Sequence, residues 1–243
     1  MKIAVLLSGQ MRSAAFCLDS LRRHVLDRLG PHDLFAHVAD DADTHLAERL
    51  SPRVLVAANP PALDEENLIH RSGHDFGGAP GDVARLLAQF WRLQESNALK
   101  TAAEATAGAR YDWVLRVRPD SFYHTDIEDL ATLDPTAVYV PTFGNYHGYN
   151  DRFAFGGSAA MDVYHHKLGT PLHAHLGAGG VLHPESILRG VLDRAGIPVH
   201  RTQIIFDTLR PDGTRLTLTW SPASGDVLPD FMPPWRHRPQ AIE

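Results

Sequence analysis

Three short apolar runs alternate with two helical stretches near the start of the chain, and this alternation is its strongest constraint on the fold. The apolar runs comprise residues 3–7, 33–38 and 53–57. Between them, Ser13 can cap a helix that runs to about Leu29, and a second helix is predicted over residues 40–50. Such a β-α-β-α-β order implies parallel strands with helices packed on the sheet. We therefore predict an α/β fold with a mostly parallel, Rossmann-like central sheet and helices on both faces.

Length, charge and cysteine content narrow the class of protein. The 243 residues fit a single α/β domain, and the formal net charge of -6 provides no basic footprint for a nucleic-acid partner. Cys17 is the only cysteine, which excludes an intrachain disulfide and favours a reducing, cytoplasmic compartment. The opening apolar run is too short to cross a bilayer, so we expect no integral membrane segment.

The segment YDWVLRVRPDSFY, residues 111–123, reads as a buried strand that ends in charged residues. Side chains alternate along a strand, so Arg116 and Arg118 are predicted to share one face, and Pro119 ends the strand before Asp120. A parallel sheet binds ligands beyond the carboxyl ends of its strands. Two guanidinium groups and a carboxylate there suit a polyanionic ligand, with Asp120 as a candidate ligand of Mg²⁺ or Mn²⁺. The alternative is an internal salt bridge.

Two other stretches supply candidates for the same ligand. In LLSGQMRS, a strand, a small-residue turn and a helix start can direct backbone N–H groups at a phosphate, which selects Ser8, Gly9 and Arg12. The stretch matches neither the P-loop nor the GxGxxG pattern. In the long helix predicted over 83–107, Gln94 and Asn97 continue the apolar stripe. They either mark the point where the helix leaves the core or face the ligand.

Two later stretches supply further candidate site residues. In GYNDRFAFGG, residues 148–157, an acid precedes a strand, although Asn150 can equally form an Asx turn. In GAGGVLHPES, residues 177–186, Glu185 begins a helix, where a carboxylate is also favoured by the helix dipole alone. We predict that Asp151 or Glu185 is the catalytic base and that His183 can complete a metal shell.

The order of several short motifs resembles bacterial and viral glycosyltransferases of the GT-A type, and more narrowly the glycosyltransferase-like proteins of surface-polysaccharide loci. The motifs are KIAVLLSGQMRS, DLFAHV, QFWRLQESNALK, YDWVLRVRPDSFY, GYNDRFAFGG and HPESIL, and they cover roughly residues 1–206. In that family a DxD-type motif after a central strand holds a metal that bridges the diphosphate of a sugar nucleotide. The matching position here, 120–122, lacks the second acid. The resemblance implies Mn²⁺ or Mg²⁺, or else neutralisation of the diphosphate by Arg116 and Arg118. It also implies a sugar or acceptor site lined by Tyr146, His147, Tyr149, Asn150 and Arg152.

These observations lead to one functional prediction with two alternatives. We expect a single GT-A-like domain over 1–243, with a nucleotide-binding half (1–120), an acceptor half (121–220) and an extended tail (221–243). It would transfer a sugar from a nucleotide-sugar donor to a hydroxyl of a glycan or lipid-linked glycan in polysaccharide or glycoconjugate biosynthesis. The alternatives are a phospho- or sulfo-group transferase and a non-catalytic carbohydrate-binding protein. The glycines of 169–180 predict a flexible connection.

Overall fold

The computed structural model describes residues 1–64, 69, 81–216, 221, 223 and 226. The strands of its main sheet are β1 (Ile3–Gly9), β2 (Asp33–Val38), β3 (Val54–Ala57), β4 (Trp113–Val117), β6 (Val138–Pro141), β7 (Ala154–Gly156) and β8 (Val199–Thr202). They lie in the order β3-β2-β1-β4-β7-β6-β8. Every neighbouring pair is parallel except those made by β7, which runs antiparallel to β4 and β6. The prediction of a mostly parallel central sheet is confirmed.

A small antiparallel sheet stands beside the main one. It contains β5 (Ser121–Tyr123), β9 (Phe206–Leu209) and β10 (Arg215–Leu216) in the order β10-β9-β5. Because β5 begins four residues after β4 ends, the chain between the two strands makes a short turn at the carboxyl edge of the main sheet. That turn contains Arg118 and Asp120.

Helices cover both faces of the main sheet. Helix α1 (Ala14–Leu21) continues through a π-helical turn (Arg22–Leu26) and one last turn (Asp27–Leu29), and it is followed later by α2 (Asp82–Ala107), α3 (Ser158–His165), α4 (Thr170–Gly177) and α5 (Pro184–Arg194). Two 3₁₀ helices span Thr44–Leu50 and Leu130–Thr132. Alternate residues of β1 divide between the faces: Val5 packs in the same core as α1, and Leu6 packs with α3 and α5. None of the helices in these described ranges is long and apolar enough to cross a membrane.

The structure differs from the sequence prediction in two connections. Residues 169–180 are largely helical, because α4 begins with proline in its first turn and buries Leu172 and His175. The helix predicted over 40–50 is a 3₁₀ helix restricted to Thr44–Leu50. The predicted tail, 221–243, lies outside the described residues except for positions 221, 223 and 226.

A buried ionic cluster joins α2 to α3 and to the start of β4. The fully buried ammonium of Lys100 donates to Ser158 Oγ at 2.7 Å and to Asp162 Oδ1 at 2.6 Å, and Glu104 Oε2 lies 3.2 Å away. Glu104 Oε1 in turn accepts from the Tyr111 N–H at 2.9 Å. Lys100 and Glu104 are buried, so removing either one leaves the other uncompensated, whereas the partly exposed Asp162 is also paired with Arg110.

We predict that Lys100→Met lowers the free energy of unfolding by about 3 kcal/mol, since it leaves the buried Glu104 without its cation while keeping the apolar stem. Urea denaturation followed by circular dichroism measures the change. The control is Arg49→Met, which removes an exposed pair with Asp19 (3.3 Å) and should cost less than about 1 kcal/mol. Equal midpoints for wild type and Lys100→Met would contradict the assignment.

His37 makes the fold sensitive to acid. Its imidazole lies edge-on to Trp91 at 4.8 Å, and burial, aided by the nearby Arg92 guanidinium, lowers its pKa to about 4. Between pH 6.5 and 4 the unfolded chain therefore binds a proton that the folded chain excludes, so this group reduces stability as the pH falls.

We expect wild type to lose on the order of 2 kcal/mol more stability than His37→Phe between pH 7 and pH 4. Phenylalanine keeps an aromatic ring against Trp91 and does not titrate. Urea denaturation at the two pH values gives the difference, and the exposed His173→Gln serves as the control that retains wild-type acid sensitivity. Equal losses of unfolding free energy in wild type and His37→Phe would refute the role of His37 in acid sensitivity.

Candidate functional site

The ends of β1 and β4 meet at the point where the order of the parallel strands reverses. From β1 the chain proceeds to β2 and β3 on one side, and it returns to β4 on the other side. Such a reversal opens a crevice beyond the carboxyl ends of the two strands. Gly9 allows the close approach, because its φ is +147° and a Cβ there would lie 3.0 Å from Pro119 Cδ.

A cavity of about 180 Å³ fills this crevice. It brings together six of the residues predicted to bind the donor, from the turn after β1 and from the end of β4. These are Ser8, Gly9, Arg12, Arg116, Arg118 and Asp120. The expectation that the two arginines of the YDWVLRVRPDSFY segment share one face therefore agrees with the structure.

The other two predicted donor residues lie elsewhere. The Oε1 atom of Gln94 accepts a hydrogen bond from the N–H of Leu168 at 2.7 Å. Asn97 Nδ2 donates to Asp162 Oδ1 at 2.9 Å. Both side chains thus tie α2 to α3 and the segment after it, and neither is among the residues that line the cavity.

Helix α2 instead contributes Arg85, Gln89 and Arg92 to the cavity wall, which the sequence prediction missed. Their spacing of four and three residues places them on one face of the helix. This polar stripe is the sequence signal that could have identified the three residues. It runs beside the apolar stripe that led to the prediction of Gln94 and Asn97. With Arg12, Arg116 and Arg118, the described residues of the wall include five arginines and one aspartate.

Arg118 and Asp120 form a two-point ion pair inside the wall. Arg118 Nε donates to Asp120 Oδ1 at 2.7 Å, and Nη2 donates to Oδ2 at 2.6 Å. Burial acts to raise the pKa of Asp120, but the Arg118 charge outweighs it and holds that pKa below its ordinary value. The internal salt bridge considered from the sequence is therefore present, and it lines the cavity.

Arg92 and Arg116 are buried without a carboxylate hydrogen-bonded to them among the described residues. Arg116 Nη1 donates to the carbonyl oxygen of Arg152 at 3.1 Å, and Arg92 Nη2 donates to Asn59 Oδ1 at 3.3 Å. The Nε atom of each has no hydrogen-bond partner in the described part of the chain. Burial lowers the pKa of both guanidinium groups. Buried cations with incomplete partners are typical of a binding site for anions.

The two candidate bases form a buried pair of carboxylates behind this wall. The Gln89 amide donates to Asp151 Oδ2, which links the pair to the cavity. Arg152 Nη1 lies 3.1 Å from Glu185 Oε1. Burial and the neighbouring Asp151 raise the pKa of Glu185, whereas the cations around Asp151 outweigh burial and lower its pKa. Paired acids with pKa values displaced in opposite directions suit different roles in proton transfer.

Lys167 completes the buried cluster, and no sequence pattern singled it out. Its ammonium lies 5.3 Å from the ring centre of Phe90 and 4.9 Å from that of Tyr164, and it has no hydrogen-bond partner in the described ranges. Burial lowers its pKa to about 8, and Asp151 is the carboxylate that most opposes this shift. Tyr164 donates its hydroxyl to the carbonyl oxygen of Asp151 at 3.1 Å.

The predicted sugar or acceptor residues divide into an exposed and a buried set. Tyr146 and His147 form a turn with φ of 44° and 63°, and Tyr146 is 41% exposed beside His183, with a ring-centre separation of 5.5 Å. Strained backbone of this kind is frequent at binding sites. Asn150 is buried and forms the Asx turn, since its Oδ1 accepts from the Arg152 N–H at 2.8 Å. Tyr149 donates to Asp193 Oδ1 at 3.1 Å.

The candidate metal ligands do not form a set that fits Mg²⁺ or Mn²⁺. Both oxygens of Asp120 accept hydrogen bonds from Arg118, and His183 Nδ1 lies 2.8 Å from Glu185 Oε2. In the described ranges, no three His, Cys, Asp or Glu side chains converge as metal ligands. A divalent cation would share the cavity with five arginines. The expectation of a metal from the resemblance stays a prediction.

Comparison with known proteins gives a family but no activity. No curated protein matches the chain. One family model covers residues 1–219, which include the cavity wall, both carboxylates and Lys167. The chain therefore belongs to the family described as domain of unknown function DUF7796.

Proposed function

We propose that this protein is a glycosyltransferase that moves a sugar from a nucleoside-diphosphate sugar to a hydroxyl group. The observation that carries the proposal is the cavity at the strand reversal, which is lined by five arginines and connected through Gln89 to a buried carboxylate pair. The arginines are placed to stabilise a leaving diphosphate. Stabilisation of developing charge by groups fixed in advance is usually the largest contribution to such catalysis.

The acceptor side is assigned to the surface around Tyr146 and His183. Glu185 is 1% exposed, while the side chain of His183 is 32% exposed and contacts both Glu185 and the ring of Tyr146. Glu185 is the better candidate base, because its raised pKa suits proton acceptance near neutral pH. Asp151 remains ionised and orients Gln89 at the cavity wall. The same proposal places the enzyme in polysaccharide or glycoconjugate biosynthesis.

A panel of nucleotide sugars tests the proposal directly. We expect the full chain to release free nucleoside diphosphate from one member of the panel when a glycan acceptor is present. Release of no nucleoside diphosphate, together with transfer of phosphate or sulfate, would establish the second class of enzyme. Glycan binding without stabilisation by any nucleoside diphosphate would establish a non-catalytic carbohydrate-binding protein.

Two exposed arginines provide a test variant and a matched control for this experiment. Arg12 lines the cavity, so Arg12→Ala should raise the donor KM about tenfold, the cost of one charge-assisted hydrogen bond. Arg23, an exposed residue of the π-helical turn after α1, lies outside the cavity wall, and Arg23→Ala should leave the KM at the wild-type value.

We predict that Glu185→Gln lowers kcat by about 100-fold or more with little change in the donor KM, because the amide cannot accept the proton of the acceptor hydroxyl. Steady-state kinetics give both constants, and near-ultraviolet circular dichroism verifies the fold. Glu48→Gln, in the exposed part of the first 3₁₀ helix, is the matched control. An undiminished kcat would remove Glu185 from the reaction.

A further inference from the structure

The cavity carries more positive charge than its own carboxylate can balance. Of its five arginines, Arg118 is paired with Asp120, and Arg85 is paired with Asp82 at the start of α2. Arg12 is exposed, and neither it nor Arg92 or Arg116 makes an ion pair with a carboxylate in the described part of the chain. Asp41 acts on Arg92, and Asp151 acts on Arg116, only from beyond ion-pair distance. An anion with several charges would supply the missing compensation.

The excess of positive charge indicates a binding site because two of the arginines are buried. Arg92 is 8% exposed and Arg116 is 1% exposed, so water compensates neither guanidinium as it would at the surface. In each of them, the Nε donor has no hydrogen-bond partner among the residues that the structure describes. Because they come from α2 and from β4, the two cations approach the cavity from different walls.

Asp120 has a role within this arrangement that is not metal binding. Its two oxygens accept from Nε and Nη2 of Arg118, which fixes the guanidinium plane against the cavity wall. A cation at Asp120 would have to displace Arg118 and would enter a cavity already lined by like charges. The acid therefore positions an arginine.

We propose that the cavity binds the diphosphate directly through its arginines, with no divalent cation, and that Arg92 and Arg116 are its central contacts. The nature of the ligand as a nucleoside diphosphate rests on the proposed function. The existence of a metal-free site for a diphosphate does not rest on it.

Calorimetric titration of the full chain with inorganic pyrophosphate tests the proposal. The titration is made in buffer stripped of metals on a chelating resin, and again with Mg²⁺ or Mn²⁺ added. We expect binding in the stripped buffer to be at least as tight as binding with metal. Absence of binding, or binding that appears or strengthens tenfold only with metal, would overturn the proposal.

Substitutions locate the site. Arg92→Met and Arg116→Met should each weaken pyrophosphate binding about tenfold or more, since each removes a charged donor while keeping an apolar stem. Arg49→Met, which removes the surface ion pair with Asp19, should bind pyrophosphate with wild-type affinity. Arg92→Met keeps the test valid if Arg116→Met does not fold. Wild-type affinity in folded Arg92→Met would overturn the assignment.

The two proposals fail in different ways. Metal-free pyrophosphate binding without turnover of any nucleotide sugar supports the anion site and rejects the glycosyltransferase. Turnover of a nucleotide sugar that depends on added metal supports the glycosyltransferase and overturns the metal-free site.

Discussion

Burial of charge at the carboxyl edge of the main sheet is the constraint on which the rest of this structure depends. Arg116, Asp151, Lys167 and Glu185 are each no more than 2% exposed, and none of them is stable there without the others. Apolar side chains of similar volume would pack at least as well, so such a cluster is a poor device for stability alone. Clusters of this kind, with displaced pKa values beside a cavity, are typical of functional sites.

The cavity and the carboxylate pair are electrostatically one unit. Arg116 lines the cavity, and its positive charge also lowers the pKa of Asp151. A diphosphate bound at Arg116 would offset part of that charge and raise the pKa of Asp151. In the proposed reaction, donor binding would therefore change the electrostatic surroundings of the carboxylate pair through Asp151, which is linked to the cavity wall by Gln89.

Features of the fold and the site that depend on residues close together in the sequence could be predicted, whereas features that depend on distant residues could not. The bounds of β2 follow from a local apolar pattern, and the end of β4 before Pro119 follows from the proline; both agree with the structure. Six cavity residues follow from the rule that strand ends bind ligands. Arg92 and Lys167 could not be placed, because their roles depend on how α2 and the segment after α3 pack against the sheet. Helix α4 was missed because glycines flank a helix that tertiary packing of Leu172 stabilises.

In the proposed metal-free site, the structure of the turn after β4 explains why one acid is sufficient. Arg118 and Asp120 are two residues apart, with Pro119 fixing the backbone between them, so their ion pair forms locally and needs no ligand. Gly9 packs against the same proline and fixes the turn relative to β1. The guanidinium is thereby oriented before a ligand arrives, and preorganisation of this kind reduces the cost of binding. A second acid would pair with another arginine and reduce the charge that attracts an anion.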